Sequence, residues 1–203
     1  MAIKPEREYR YFRPFEARAQ EEGEEKKYIV EGYATTFNEP YVLWEEEDGR
    51  KYYEQVDEKA FEGADLSDVI FLYNHEGMVY ARLKNGTLKL DVDDHGLKVT
   101  ADLGTTEQSR QIYEAIDKGL VDQMSFAFTV ESEAYDKKTR TRTITGFRKI
   151  YDVSAVSIPA NPGTDISTKR FIEGVIEEER QELLKAEARE KQKQKIKILT
   201  EVL

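Results

Sequence analysis

Residues 123–134 (QMSFAFTVESEA) alternate strictly: Met124, Phe126, Phe128 and Val130 fall on one side, Ser125, Ala127 and Thr129 on the other. A period of two places successive side chains on opposite faces of a sheet, so this stretch specifies a strand. The same grammar recurs through most of residues 8–160. Tyr9, Tyr11, Arg13, Phe15 and Ala17 alternate with their neighbours, and further β-rich runs occupy residues 27–36, 41–45, 51–56, 69–73, 79–83, 87–92, 97–103, 140–150 and 152–158. Asn85-Gly86 has the chemistry of a two-residue hairpin turn, and Asp93-Asp94-His95-Gly96 marks a second turn, which predicts a three-stranded meander over residues 79–103. Strands at this spacing suggest a sandwich or a barrel.

Helical signals are few. Thr105 and Gln108 form a capping-box pattern ahead of an Ile112, Ala115, Ile116 stripe, and Gly119 suits the position just past the helix end. A second short helix is predicted at residues 58–63 (EKAFEG). The Pro159–Gly163 stretch (PANPG) ends regular structure. From Val175 to Leu203 there is neither Gly nor Pro; acidic residues dominate 173–190 and lysines 191–197. Leu183, Leu184, Ile196, Leu199, Val202 and Leu203 are too sparse for a core-facing stripe, so the segment reads as a long, solvent-exposed helix. The fold class expected is mainly β with helices (α+β), divided into a β-rich body over residues 1–172 and a charged helical tail over residues 173–203.

Composition narrows the chemistry. With 31 Lys and Arg against 41 Asp and Glu, the net charge of −10 disfavours nucleic acid, whose binders carry basic faces. The absence of cysteine removes disulfides, thiolate zinc sites and cysteine nucleophiles together. Only two histidines, His75 and His95, remain for imidazole chemistry, so no His-rich metal centre is expected and no cofactor is called for. Residues 1–20 lack the apolar core of a signal peptide and no stretch approaches a membrane span, so the expectation is a soluble cytoplasmic protein.

With no cysteine and no metal cluster, the chemistry to look for is a hydroxyl nucleophile with a base. His75 follows the apolar run 69–73 (VIFLY) and precedes Glu76-Gly77, the place where a strand end would present a base; the plain alternative is a strand-terminal histidine bonded to backbone. Ser125 lies between Met124 and Phe126, as a nucleophile or as the small residue of a crowded face. Asp152 opens the run Asp152-Val153-Ser154-Ala155-Val156-Ser157 and could orient an imidazole; Ser154 and Ser157 are competing hydroxyls that periodicity does not separate from Ser125. His95 reads as a solvated turn residue. No Gly-rich phosphate loop, GxSxG elbow or HExxH motif is present.

Three segments in order carry a resemblance: FLYNHEGMVYARLKNGTLKL (71–90), QMSFAFTV (123–130) and DVSAVSIPANPGTDIS (152–167). With IVEGYATTFNEPY (29–41) and EQVDEKAFEGA (54–64) upstream, they resemble the blocks of the prohead (procapsid maturation) protease family of tailed bacteriophages over residues 8–168. The resemblance implies a serine endopeptidase with a compact β-barrel similar to herpesvirus assemblin. It implies Ser125 as nucleophile, His75 as base and Asp152 as third member, where relatives more often carry Glu. Assemblins use a second histidine there, a role against which the turn context of His95 argues. Ala127 stands where the family often has Gly, adding a methyl beside the nucleophile. Arg82, in the Ala-Arg step, is implied as a substrate or oxyanion contact. The implied partners are the major capsid protein and scaffold protein, met inside the procapsid in the host cytoplasm, with self-cleavage, a possible homo-oligomer, no nucleic acid and no membrane. The competing readings are a non-enzymatic capsid-assembly or scaffold module with a helical oligomerisation arm, and a hydrolase of small esters or amides.

Overall fold

The computed structural model describes residues 7–12, 15–22, 25–157 and 166–201. Eleven strands are β1 (Glu8–Phe12), β2 (Phe15–Glu22), β3 (Glu25–Thr36), β4 (Tyr41–Glu45), β5 (Lys51–Val56), β6 (Ile70–Tyr73), β7 (Glu76–Arg82), β8 (Leu88–Val92), β9 (Gly96–Asp102), β10 (Gln123–Asp136) and β11 (Thr141–Val156). Helix α1 (Glu107–Asp117) lies between β9 and β10, and α2 (Ile166–Glu201) closes the chain. The end of regular structure expected at Pro159–Gly163 lies outside the described residues.

The strands pair in two open sheets. One has seven strands: β1-β10-β11 run side by side, and β11 then shares its far edge between β5-β4 and β6-β7. The other runs β2-β3-β9-β8. The expected α+β class is present, but neither sheet closes into the expected barrel. The reason lies in β11. Its far edge pairs in parallel with β5 at Thr141–Ile144 and with β6 at Asp152–Ala155, so the sheet branches there instead of curling shut.

The core fills the space between the sheets. Phe71, Met124, Phe126, Phe128, Phe147, Ile150 and Val153 from the larger sheet meet Val30, Leu88, Leu97, Val99 and Ala101 from the smaller, with Ile112, Tyr113 and Ile116 of α1 alongside. Phe126 and Phe128 stack at 4.6 Å, and Phe147 meets Phe128 edge-on at 4.9 Å. Each such buried side chain contributes about 1.5–3 kcal/mol through removal from water. The alternation of residues 124–130 therefore has a physical cause: one side of β10 must be apolar.

Four local expectations differ from the structure. Residues 79–103 do not form a meander; β7 pairs with β6, only β8 and β9 pair with each other, and the chain changes sheets through a 3-10 turn at Leu83–Asn85. A two-residue I′ turn needs positive φ at both centres, and only Gly86 (φ 79°) has it. Residues 58–63 make successive i to i+3 turns, with Ala60 N–H on Asp57, Glu62 N–H on Lys59 and Ala64 N–H on Phe61, rather than a helix. The Ala60 carbonyl accepts instead from Phe147 N–H at 2.8 Å, which takes it out of any helical ladder. The helix cap is Thr106, whose side chain accepts from Ser109 N–H at 3.1 Å, one residue beyond the expected Thr105. The alternating run 9–17 is split between β1 and β2, which lie in different sheets.

Helix α2 crosses the expected 172/173 division without a break. Ile172 is buried with Leu43 and Tyr52, and Phe171, Val175 and Ile176 pack around them. Lys137, at the tip of the β10–β11 hairpin, reaches Glu182 at 2.7 Å. Residues 181–194 are exposed all round, Leu183 and Leu184 included. No helix among the described residues is long and apolar enough to cross a membrane.

A buried ionic cluster pins β1 to this frame. Arg10, fully buried, bonds Glu54 through Nε and through Nη2 (2.9 Å), and Glu8 at 2.6 Å. Arg142 bonds Glu54 at 2.7 Å and Glu8 at 2.8 Å, and the Tyr41 hydroxyl also donates to Glu54. Burial alone would push the Glu54 carboxyl up. The charges of Arg10 and Arg142, with the Arg10 and Tyr41 hydrogen bonds, overcome burial and hold it at about 2, below its ordinary 4.5.

Two outcomes follow for stability. Because the folded-state pKa of Glu54 is depressed, its contribution is present above pH 4.5 and is lost as pH falls through about 2. Glu54→Gln is expected to lower stability at pH 7 by about 3–5 kcal/mol, since it removes the carboxylate that two buried guanidinium groups share and leaves Glu8 to serve both, and to flatten the acid-side fall measured by thermal melts between those pH values. Thr106→Ala is expected to cost about 1 kcal/mol while Thr105→Ala stays near neutral in the same melts.

Candidate active site

Strand register arranges the chemistry. Across the larger sheet, Tyr9, Ala127, Asp152, Ile70 and Arg82 stand in one row, and Ser125, Ser154 and Leu72 in the next. Residues opposite one another across paired strands share a face. This face is the reverse of the one that carries Met124, Phe126 and Val153 into the core. A bulge in β11 makes the arrangement possible: Ala127 opposes Asp152 and Phe128 opposes Ile150, leaving Tyr151 as the extra residue. In a regular strand Asp152 would share a face with Ile150. The extra residue lets Ile150 stay in the core while Asp152 turns to the chemical face.

His75 arrives from a tight turn. Tyr73 pairs with Glu76, and the two residues between them, Asn74 (φ 53°) and His75 (φ 60°), both have positive φ. That is the geometry of a two-residue I′ hairpin loop. Asn tolerates this region well; for His it stores about 1–3 kcal/mol of backbone strain. The turn is anchored to the end of β11. Asn74 N–H donates to Ala155 O at 2.9 Å, and the Asn74 side-chain oxygen accepts from Ser157 N–H at 3.0 Å.

From this perch the imidazole bridges two strands. His75 Nε2 is 2.6 Å from Ser125 Oγ, and Nδ1 is 2.5 Å from Asp152 Oδ1. An ionised carboxylate only accepts, so Nδ1 carries the proton and Nε2 offers its lone pair to the Ser125 hydroxyl. Ser154 Oγ lies 2.9 Å from Asp152 Oδ1 and 3.2 Å from His75 Nδ1. Ser125 and Ser154 are fully buried, and Asp152 is 3 % exposed. The Tyr9 ring meets the imidazole edge-on at 4.6 Å. Such a chain of hydroxyl, imidazole and carboxylate can draw a proton from Oγ onto Nε2 and hold the resulting imidazolium against a buried carboxylate.

The other expected residues stand elsewhere. His95 sits in the exposed β8–β9 turn, where Asp93 Oδ1 accepts from its backbone N–H and its ring packs edge-on against Tyr33. Ser157 is held by Asn74. Arg82 shares the chemical face but opposes Ile70 at the open end of the β6–β7 hairpin, three strands from Ser125, a distance of roughly 14 Å at about 4.8 Å per strand. Its guanidinium is paired with Asp68. Ala127 is fully buried between Tyr9 and Asp152 in its row. Among the described residues, no group of three or more His, Cys, Asp or Glu side chains is placed to hold a metal ion.

Tyr9 and the Asn74 clamp escaped the sequence reading. For Tyr9 no local signal exists, because its contact with His75 spans 66 residues and depends on β1 pairing with β10. For Asn74 a signal was available: Asn just before His at the end of an apolar run suits a turn that needs positive φ.

No curated protein and no solved structure matches the chain. A family model described as caudovirus prohead serine protease matches residues 13–178, a span that contains His75, Ser125 and Asp152. The chain belongs to the caudovirus prohead serine protease family, serine peptidases of capsid maturation that act inside the procapsid.

Proposed function

We propose that Ser125 is the nucleophile of this peptidase, His75 its general base and Asp152 the carboxylate that orients the imidazole. The observation that carries the reading is the unbroken contact chain from Ser125 Oγ through both nitrogens of His75 to Asp152 Oδ1. In the first step His75 Nε2 takes the Ser125 proton as Oγ adds to the scissile carbonyl. The imidazolium then protonates the leaving amine as the C–N bond breaks, leaving an acyl-enzyme. Water, deprotonated by the same nitrogen, releases the carboxylic acid and restores Ser125. Asp152 stays ionised throughout and stabilises the imidazolium. Arg82, distant from Ser125 and held by Asp68, suits contact with an extended substrate better than with the oxyanion.

The substrates in this reading are the scaffold protein or the scaffolding segment of the major capsid protein, followed by the protease itself. The exposed, charge-segregated part of α2 beyond Glu182 is the arm that docks on scaffold or shell.

The test is coexpression of the full chain with its capsid and scaffold proteins, together with a fluorophosphonate probe on the purified enzyme. Ser125→Ala and His75→Ala are each expected to lower cleavage by about 10⁴-fold or more, because the residues act as a unit. Probe labelling should vanish in Ser125→Ala and persist in Ser157→Ala. Capsid or scaffold cleavage that survives Ser125→Ala at the wild-type rate overturns the assignment. Labelling without cleavage of either protein would leave the nucleophile standing and remove the proposed substrates.

A further inference from the structure

We infer that Ser154 is a positioning residue of this site, whose hydroxyl proton holds the Asp152 oxygen that His75 uses. The inference rests on the proposed roles of Ser125, His75 and Asp152 and deepens them.

Ser154 is fully buried, and a buried hydroxyl without a partner is costly, so its single proton must be placed. Two acceptors are within reach: Asp152 Oδ1 at 2.9 Å and His75 Nδ1 at 3.2 Å. Nδ1 already carries a proton directed at Asp152, 2.5 Å away, and cannot accept another. The Ser154 proton therefore goes to Asp152 Oδ1, and the hydroxyl turns a lone pair toward Nδ1–H. Two donors, Ser154 O–H and His75 Nδ1–H, converge on one carboxylate oxygen. The same reasoning removes Ser154 as a rival nucleophile. In the tautomer that leaves Nε2 free for Ser125, Nδ1 is protonated and cannot take the Ser154 proton.

The backbone supports this role. Asp152 and Ser154 are two apart on β11, so they share a face, and Ser154 stands directly opposite Ser125 across the strand pair. The Asp152 carboxylate lies just past the Tyr151 bulge, where the ladder is locally broken. A carboxylate there could rotate about its side-chain bonds without a second tether, and the Ser154 hydroxyl supplies that tether from the same strand. When His75 becomes an imidazolium, Asp152 must already be in place, because reorienting a buried charge during the reaction would raise the barrier.

The test uses the full-length enzyme and its capsid-derived substrate. Ser154→Ala and Ser154→Cys both remove the strong O–H donor, and Ser154→Thr keeps it. The first two are expected to lower kcat roughly 10- to 100-fold, the factor that one lost hydrogen bond to a charged group is worth, with KM unchanged. Fluorophosphonate labelling of Ser125 should slow by the same factor yet reach completion. Ser154→Thr should recover most of kcat. The low-field proton resonance of His75 Nδ1–H should move in the Ala and Cys variants and return in the Thr variant. Thermal melts show which variants fold; if the Ala variant does not, the volume-conserving Cys variant decides. A folded Ala or Cys variant with wild-type kcat and an unmoved resonance overturns the inference while leaving the proposed triad intact. Labelling abolished by Ser154→Ala but retained by Ser125→Ala would make Ser154 the nucleophile and overturn both readings.

Discussion

Antiparallel pairing of β10 with β11 sets Ser125 opposite Ser154 and Ala127 opposite Asp152, and it puts Met124, Phe126 and Val153 on the reverse face. The rest of the larger sheet is built outward from this ribbon. β1 joins its near edge and brings Tyr9; β6 joins its far edge and ends in the turn that carries His75. A one-residue slip of either strand would exchange the faces, sending phenylalanines to the chemical side and hydroxyls into the core. The burial of the phenylalanines thus fixes the register that brings Ser125 and Asp152 onto one face. Hydrophobic packing and chemistry are two faces of one constraint.

The polar side of the structure is held by fully partnered charges. Arg10, Glu54, Glu8 and Arg142 bring β1, β5 and β11 together, with Arg10 and Glu8 opposite Phe126 and Phe128 in the strand register, where an unmatched charge would be prohibitive. Such a cluster tolerates few alternative registers, since each shift would strand a buried ion. It locks β1 beside β10, and through β1 it keeps the Tyr9 ring against His75. The strain in the His75 backbone is offset by neighbours in the same way. Asn74 ties the turn to Ala155 and Ser157, so the imidazole is presented by a braced hairpin tip rather than a free loop.

Much of this was legible in the residues. Strict alternation over residues 124–130 located β10 and assigned its two faces, and the Ile112 and Ile116 stripe located α1. The sparse apolar positions after Val175 anticipated an exposed helix. His75 and Asp152 were singled out by their places at the ends of apolar runs, Ser125 as a small hydroxyl between large apolar neighbours, and all three by the resemblance of their surrounding blocks. The failures have physical causes. EKAFEG has helical composition, yet the Ala60 carbonyl is drawn to Phe147 on a distant strand. Asn85-Gly86 has hairpin chemistry, yet β7 and β8 belong to different sheets, so the turn there changes layers instead of reversing within one. The barrel expectation failed because β11 accepts two parallel neighbours in succession along one edge.

Sequence alone determined the local matters: which face of β10 is apolar, the stripe that marks α1, the exposed run of the C-terminal helix, and that imidazole chemistry must use His75 or His95. Those properties depend on neighbours within a few residues, and periodicity records them. The tertiary structure alone decided which hydroxyl meets which imidazole. Ser125 and His75 are 50 residues apart, and Asp152 and His75 are 77 apart. Their meeting depends on which strand edges pair, in what register, and on one extra residue at Tyr151 that turns Asp152 out of the core. Pairing between distant strands is chosen by the total burial and hydrogen bonding of the whole sheet, a sum that no local pattern contains.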